Sequence, residues 1–201
     1  MHRVFVSYHH DNDQSYKDAL VTWAKEHEIF IDWSVDTGDI DEDLPDERIR
    51  EIIRDEYLRD SSVTILLVGT ETKHRKHVDW ELYSSMYDGK VNKKSGIIVI
   101  NLPSTNCDCF TASHEGEKSQ IFPEQDDWVT ITERAEFERR YPYMPDRIID
   151  NLLKTEAKIS VIPWDKLTVG KLKYMIDKAY DDREYCQYDL SRPMRRKNHS
   201  S

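Results

Sequence analysis

The run at residues 63–70, V-T-I-L-L-V-G-T, constrains the fold more than any other stretch of the chain. It is apolar, contains β-branched residues and ends near a glycine, which is typical of a strand buried on both faces in the centre of a parallel sheet. A helix is predicted to follow, because Val78, Leu82 and Met86 recur at helical spacing. A buried strand followed by an amphipathic helix indicates an α/β domain.

The rest of the chain repeats this alternation. Strands are predicted at residues 3–8, 28–32, 62–68, 96–101 and 159–162. Apolar residues at helical spacing predict helices around residues 16–23, 49–57, 148–153 and 172–179. Since parallel strands are joined by right-handed crossovers, we expect a flavodoxin-like, doubly wound parallel sheet of about five strands with helices on both faces.

The predicted domain organisation is simple. Residues 1–188 form one domain, which carries an irregular insertion around 103–145 where periodicity is lost. Residues 189–201 are basic and carry no apolar periodicity, so they are predicted to form a flexible tail.

Composition narrows the functional classes. The 201 residues carry a net charge of −10, which disfavours nucleic acid as a partner. No apolar run approaches the ~20 residues of a membrane span, and the first predicted strand leaves no room for a signal peptide. Three cysteines, an odd number, do not make a disulfide framework, so a cytoplasmic setting is expected.

Several chemistries common in α/β domains are excluded by their motifs. The chain has no G-x-x-x-x-G-K-[ST], G-x-G-x-x-G or G-x-S-x-G pattern. A phospho-acceptor receiver would need an aspartate after the third strand, where Gly69 and Thr70 stand. No metal is expected, because Cys107, Cys109 and His114 are too few ligands for zinc and the acidic loop 36–43 is interpreted as solvated surface.

Three segments carry a resemblance to a known family. They are R-V-F-V-S-Y-H from residue 3, S-S-V-T-I-L-L-V-G-T from residue 61 and V-D-W-E-L from residue 78. Together they resemble the TIR-like family of Thoeris anti-phage proteins, the ThsB type, over roughly residues 3–101.

That resemblance implies an activity. TIR domains of this family cleave NAD at the nicotinamide–ribose bond and make a cyclic or conjugated ADP-ribose, which activates a separate effector protein. NAD would be the substrate, no other cofactor is needed, and self-assembly is a further expectation. The catalytic glutamate of the family falls on Glu81. A non-catalytic TIR-like scaffold that binds partner proteins is the alternative.

Elementary chemistry is compatible with that role for Glu81. Nicotinamide leaves as a neutral molecule, so one carboxylate near the oxocarbenium-like ribose can suffice, without the second carboxylate of ordinary glycosidases. The residues expected to contact NAD lie at or near the predicted strand ends: Ser7, Tyr8, His9, Trp33, Thr70 and Trp80.

Other interpretations of these residues stay open. A glutamate in the first turn of a helix is often a partner of the helix dipole. Trp80 could equally pack in the core, and Ser7 and Tyr8 could simply end a strand. The basic turn 74–77 is either exposed surface or a holder of the NAD diphosphate.

Overall fold

A five-stranded parallel sheet forms the centre of the computed structural model, which describes residues 1–34, 40–41 and 43–198. The strands are β1 (His2–Ser7), β2 (Phe30–Asp32), β3 (Val63–Val68), β4 (Gly96–Asn101) and β5 (Ser160–Pro163). Their spatial order is β2-β1-β3-β4-β5. This is the flavodoxin-like order, so the predicted fold class is confirmed.

Helices cover both faces of the sheet. They are α1 (His10–Glu26), α2 (Asp46–Ile52), α3 (Lys76–Met86), α4 (Glu117–Ile121), α5 (Arg134–Arg140), α6 (Asp146–Leu152) and α7 (Val169–Asp182). Helices α1 and α7 pack on one face, and α2, α3, α5 and α6 pack on the other. Across the described residues, no helix is both long enough and apolar enough to cross a membrane.

Alternation along β1 decides which side chains can meet at the sheet edge. Val4, Val6 and Tyr8 belong to the core between the sheet and helices α1 and α7. Phe5 belongs to the core on the opposite face, and Ser7 shares its side because successive side chains of a strand point to opposite faces. Neighbouring residues at the end of β1 therefore lie on opposite faces of the sheet.

The insertion is more ordered than its sequence indicates. It contains the 3₁₀ turn Pro103–Thr105 together with α4 and α5, and Thr111 pairs antiparallel with the edge strand β5. Phe137 and Tyr141 are buried in the core on the α3 side. Helices this short give too few repeats of the helical period to be recognised from sequence.

The predicted flexible tail also differs from the structure. Residues 189–198, called the strap below, lie against the domain. Met194 is 4% exposed and packs in the cluster that contains Phe5 and Trp80. The Nε1 atom of Trp80 donates a hydrogen bond to the Arg195 carbonyl at 2.8 Å. Backbone atoms make much of this contact, and the sequence pattern does not reveal them.

Replacing Met194 with alanine should therefore destabilise the domain. Large-to-small changes of a buried methionine commonly cost about 2–5 kcal/mol. In a chain of this size that corresponds to a fall in Tm on the order of 5–15 °C, measured by thermal unfolding.

Lys197→Ala is the matched control on the same segment, since Lys197 is exposed and such surface changes usually stay within about 0.5 kcal/mol. Deleting the chain from Leu190 onward should lower Tm at least as much as Met194→Ala does. An unchanged Tm in both variants would show that the strap does not dock in solution.

Candidate active site

The catalytic candidate Glu81 contacts a residue from the end of β1. Helix α3 carries Glu81 towards the sheet, where the Ser7 Oγ donates a hydrogen bond to its Oε2 at 2.6 Å. Both residues are buried, Glu81 being 3% and Ser7 1% exposed. The structure thus brings two of the predicted site residues together at the carboxyl edge of the central strands.

Burial changes the chemistry of this carboxyl group. Loss of solvation raises the pKa of Glu81 from 4.5 to about 8, and the hydrogen bond from Ser7 opposes that rise only in part. Removing a carboxylate from water disfavours its charged form. In the arrangement described, Glu81 is therefore mostly protonated at neutral pH.

A second buried carboxyl group, that of Asp13 on α1, lies at the end of β3. A Cβ at Gly69, the residue after β3, would lie 2.5 Å from its Oδ2, so any other residue there would force the carboxyl group of Asp13 to shift. The Gly69 amide donates to the Thr72 Oγ1 at 2.8 Å, and burial raises the pKa of Asp13. Asp13 was not predicted as a site residue from the sequence. The only sequence feature that indicated it is the glycine that follows β3.

His9 lies at the N-terminal cap of α1 and is 6% exposed. Within the described residues its Nδ1 has no hydrogen-bond partner. The pKa of His9 is lowered, first by burial and then by the positive charge of Arg75. This predicted site residue is thus a buried polar group with an open hydrogen-bonding position at a helix N-terminus.

Two predicted aromatic contacts lie away from Glu81. Trp80 is fully buried in the core with Phe5, and its stacking on a substrate ring stays a prediction. Tyr8 points into the core on the α1 side, and its hydroxyl donates to the Gln14 Oε1 at 2.6 Å. Adjacent positions on a helix or strand face different directions, which separates these rings from the carboxylate.

Two other residues that are predicted to contact NAD are half-buried. Trp33 is half-buried at the end of β2 and the Arg3 guanidinium lies over its ring, 4.3 Å from the centroid. Thr70 is half-buried after β3. Their contact with NAD stays a prediction. Most of the acidic loop 36–43 lies outside the described residues.

Two cavities lie away from the Ser7–Glu81 contact. A cavity of about 510 Å³ is lined mainly by the insertion, with Phe110 and Trp128 among its walls. A second one, of about 260 Å³, lies under the strap. Neither lining includes Glu81 or Ser7, and both side chains are buried in the described arrangement, which is called the closed site below.

Comparison with models of protein families shows which family the chain matches. The family model described as "Thoeris protein ThsB, TIR-like domain" matches residues 5–107. The chain belongs to this family. The matched segment includes Ser7, Gly69 and Glu81, and membership gives this TIR-like domain a role in anti-phage defence. Comparison with curated proteins finds no matching sequence.

The raised pKa of Glu81 predicts a pH-dependent stability. The unfolded chain releases this proton near pH 4.5, whereas the folded domain holds it until about pH 8. The folded state therefore binds more protons in that window, and its contribution to stability falls as pH rises, by up to about 1.4 kcal/mol per pH unit.

Glu81→Gln removes this titration. The free energy of unfolding of both proteins is measured in urea at pH 5 and pH 8. The value for the variant minus the value for the parent should be larger at pH 8 than at pH 5. A difference between the two proteins that does not change with pH would show that Glu81 ionises as an ordinary exposed glutamate.

Proposed function

We propose that this TIR-like domain cleaves NAD at the nicotinamide–ribose bond, with Glu81 as the catalytic carboxylate. The observation that supports this most is the contact of Glu81 with Ser7 at the carboxyl edge of β1. Ligands of doubly wound sheets bind outside the carboxyl ends of the strands. Family membership supports the same choice of residue.

The chemistry needs one negative charge beside the ribose. The bond between nicotinamide and the ribose carbon breaks, its electron pair leaves with the ring, and a neutral nicotinamide is released. Positive charge develops on the ribose, where an ionised Glu81 stabilises it. An acceptor nucleophile then bonds to the ribose carbon and loses its proton.

Protonation of Glu81 in the closed site has a consequence for this mechanism. NAD carries a cationic nicotinamide ring, and a nearby positive charge favours the ionised form of a carboxyl group. Substrate binding should therefore lower the pKa of Glu81 from its value near 8. The substrate itself helps to generate the carboxylate that acts on it.

Access to Glu81 requires a rearrangement. The side chain is 3% exposed and its Oε2 is taken by Ser7, so a ribose cannot reach it in the state described. An enzyme in this state is inactive until Glu81 becomes accessible to NAD. We therefore place NAD cleavage after an activating event, in keeping with a defence role.

His9 is proposed to contact the diphosphate of the dinucleotide. It caps the N-terminus of α1, and its Nδ1 is buried without a partner in the part of the chain that the structure describes. A helix N-terminus favours a phosphate group because its first amide groups are free to donate. The proposed product is a cyclic or conjugated ADP-ribose, which a separate effector protein binds.

Glu81→Gln should abolish NAD cleavage in the activated protein. The change keeps the shape of the side chain but removes its charge. Losing one preorganised electrostatic group commonly costs about two to three orders of magnitude in rate. The measurement is nicotinamide release by protein purified from phage-infected cells.

Glu26→Gln is the matched control, because Glu26 is exposed at the end of α1. It should retain the parent rate. If the Glu81 variant also turns NAD over at the parent rate, Glu81 is not the catalyst. If the activated parent releases no nicotinamide at all, the non-catalytic scaffold replaces the enzyme.

The product should be a cyclised or conjugated ADP-ribose. A ribose cation that meets water gives linear ADP-ribose, whereas a site that excludes water can deliver a hydroxyl or ring nitrogen as the acceptor. Membership of the ThsB TIR-like family favours the second outcome. Mass spectrometry of the product identifies it, and linear ADP-ribose as the sole species beside nicotinamide would leave only NAD depletion.

A further inference from the structure

A cavity of about 260 Å³, called the strap cavity below, lies between part of the strap and the helices α3 and α6. Its walls come from three places in the chain: the turn before α3, the start of α6 and the strap. The charged residues that line it are Lys73, Arg75, Asp79, Asp146, Arg192 and Arg195. Four cations thus face two carboxylates, in a chain whose net charge is −10.

Both carboxylates are already engaged. Asp79 accepts hydrogen bonds from the Arg147 Nε and Nη2 at 2.8 and 3.0 Å, and from the Arg195 amide at 2.8 Å. Asp146 accepts from the Arg134 Nη2 at 3.0 Å. Arg147 and Arg134 bring further positive charge to the two carboxylates.

Of the lining cations, Arg192 is itself held by Asp150, to which its Nε and Nη2 donate at 2.6 and 3.1 Å. The positive charge available to a ligand is therefore that of Lys73, Arg75 and Arg195.

Three of the cations that line the cavity have unused binding capacity. Among the described residues Lys73 forms no ion pair, and its Nζ donates only to the neutral Pro142 carbonyl, at 2.6 Å. The Arg75 Nε is buried and has no hydrogen-bond partner there. Arg195 approaches a carboxylate, that of Asp146, only at 3.9 Å. These groups are free to bind a ligand with negative charge.

Size and charge together define the ligand class. The cavity is smaller than the ~300–1,000 Å³ of sites that enclose a drug-sized ligand. It suits a compact oxyanion, because guanidinium and ammonium groups bind phosphate oxygens through short, charge-assisted hydrogen bonds. The first turn of α3, which borders the cavity, adds the positive end of a helix dipole.

We propose that the strap cavity binds a phosphate or diphosphate group, held by Lys73 and Arg75 on the helix side and by Arg195 on the strap side. The ligand would join the strap to the turn that starts α3. Because Glu81 lies on α3, occupancy of the cavity would set how firmly the catalytic helix is held. The site does not depend on NAD cleavage.

The proposed site is separate from Glu81, and Arg75 at its edge is near enough to lower the pKa of His9. Asp79 lines the strap cavity, and Glu81 lies two residues further along the same helix. Two residues correspond to about 200° of rotation around a helix axis, so the two side chains point to nearly opposite sides of α3. Glu81 contacts Ser7, which does not line the cavity.

Calorimetric titration of the full-length protein with inorganic diphosphate tests the proposal. We expect saturable binding of one anion per chain that weakens as salt rises, since charge–charge contacts are screened. The double variant Lys73→Gln/Arg195→Gln should bind at least about tenfold more weakly. No saturable heat beyond that of chloride at the same ionic strength would overturn the proposal.

The matched control is Lys90→Gln/Lys93→Gln, which removes the same charge from two exposed residues outside the cavity. This control should bind diphosphate as tightly as the parent. If both double variants bind it equally weakly, the loss of affinity comes from net charge alone and the site is refuted. Glu81→Gln should also bind like the parent. Loss of binding in that variant would place the anion at the catalytic carboxylate and refute a separate site.

Titration with ADP-ribose separates the two sources of such a group. If ADP-ribose binds more tightly than diphosphate and depends equally on Lys73 and Arg195, a nucleotide is the ligand. If the two bind equally well with that dependence, the free anion is sufficient. If ADP-ribose binds the double variant as tightly as the parent and diphosphate does not bind, the site is refuted.

Discussion

The buried ion pair between Asp79 of α3 and Arg147 of α6 fixes the helix that carries Glu81. The two side chains share two hydrogen bonds, at 2.8 and 3.0 Å, and Arg147 is fully buried. Its remaining donors reach the carbonyls of Arg192 and Pro193 in the strap. A buried ion pair is favourable only when such additional bonds offset its desolvation, and removing one partner typically costs about 3–5 kcal/mol. Helices α3 and α6 and the strap are therefore held as one unit.

Three consecutive residues of α3 make three different attachments. Asp79 joins Arg147, Trp80 fills the core beside Phe5, and Glu81 bonds to Ser7. Successive residues of a helix point about 100° apart, so these contacts fix the rotation of α3 as well as its position. A rotation that exposed Glu81 would also strain the buried tryptophan and the ion pair. The burial of the catalytic candidate is thus a property of the whole α3 packing.

The sheet was predictable because its central strands β3 and β4 are continuous apolar runs, and the contact of Glu81 with Ser7 follows from the topology once β1 and β3 are neighbours. What each side chain faces was less predictable. Tyr8 and Ser7 are adjacent in sequence, yet alternation along the strand places them on opposite faces. Trp80 precedes Glu81, yet one step around the helix takes its ring into the core. The strap escaped prediction because backbone carbonyls and a single methionine hold it, and neither leaves a periodic pattern.

Under the proposed function, the same packing explains how a destructive activity is kept quiet. A carboxyl group with a pKa near 8 in a closed site is neutral and cannot stabilise a ribose cation. Uncovering it restores water and charge, and binding of cationic NAD favours the ionised form further. Opening and substrate binding therefore reinforce each other, because each stabilises the state that the other requires. An event that loosens the strap or the ion pair at Asp79 would shift this equilibrium without touching the catalytic residue, since the two hold α3 through Asp79 and Trp80.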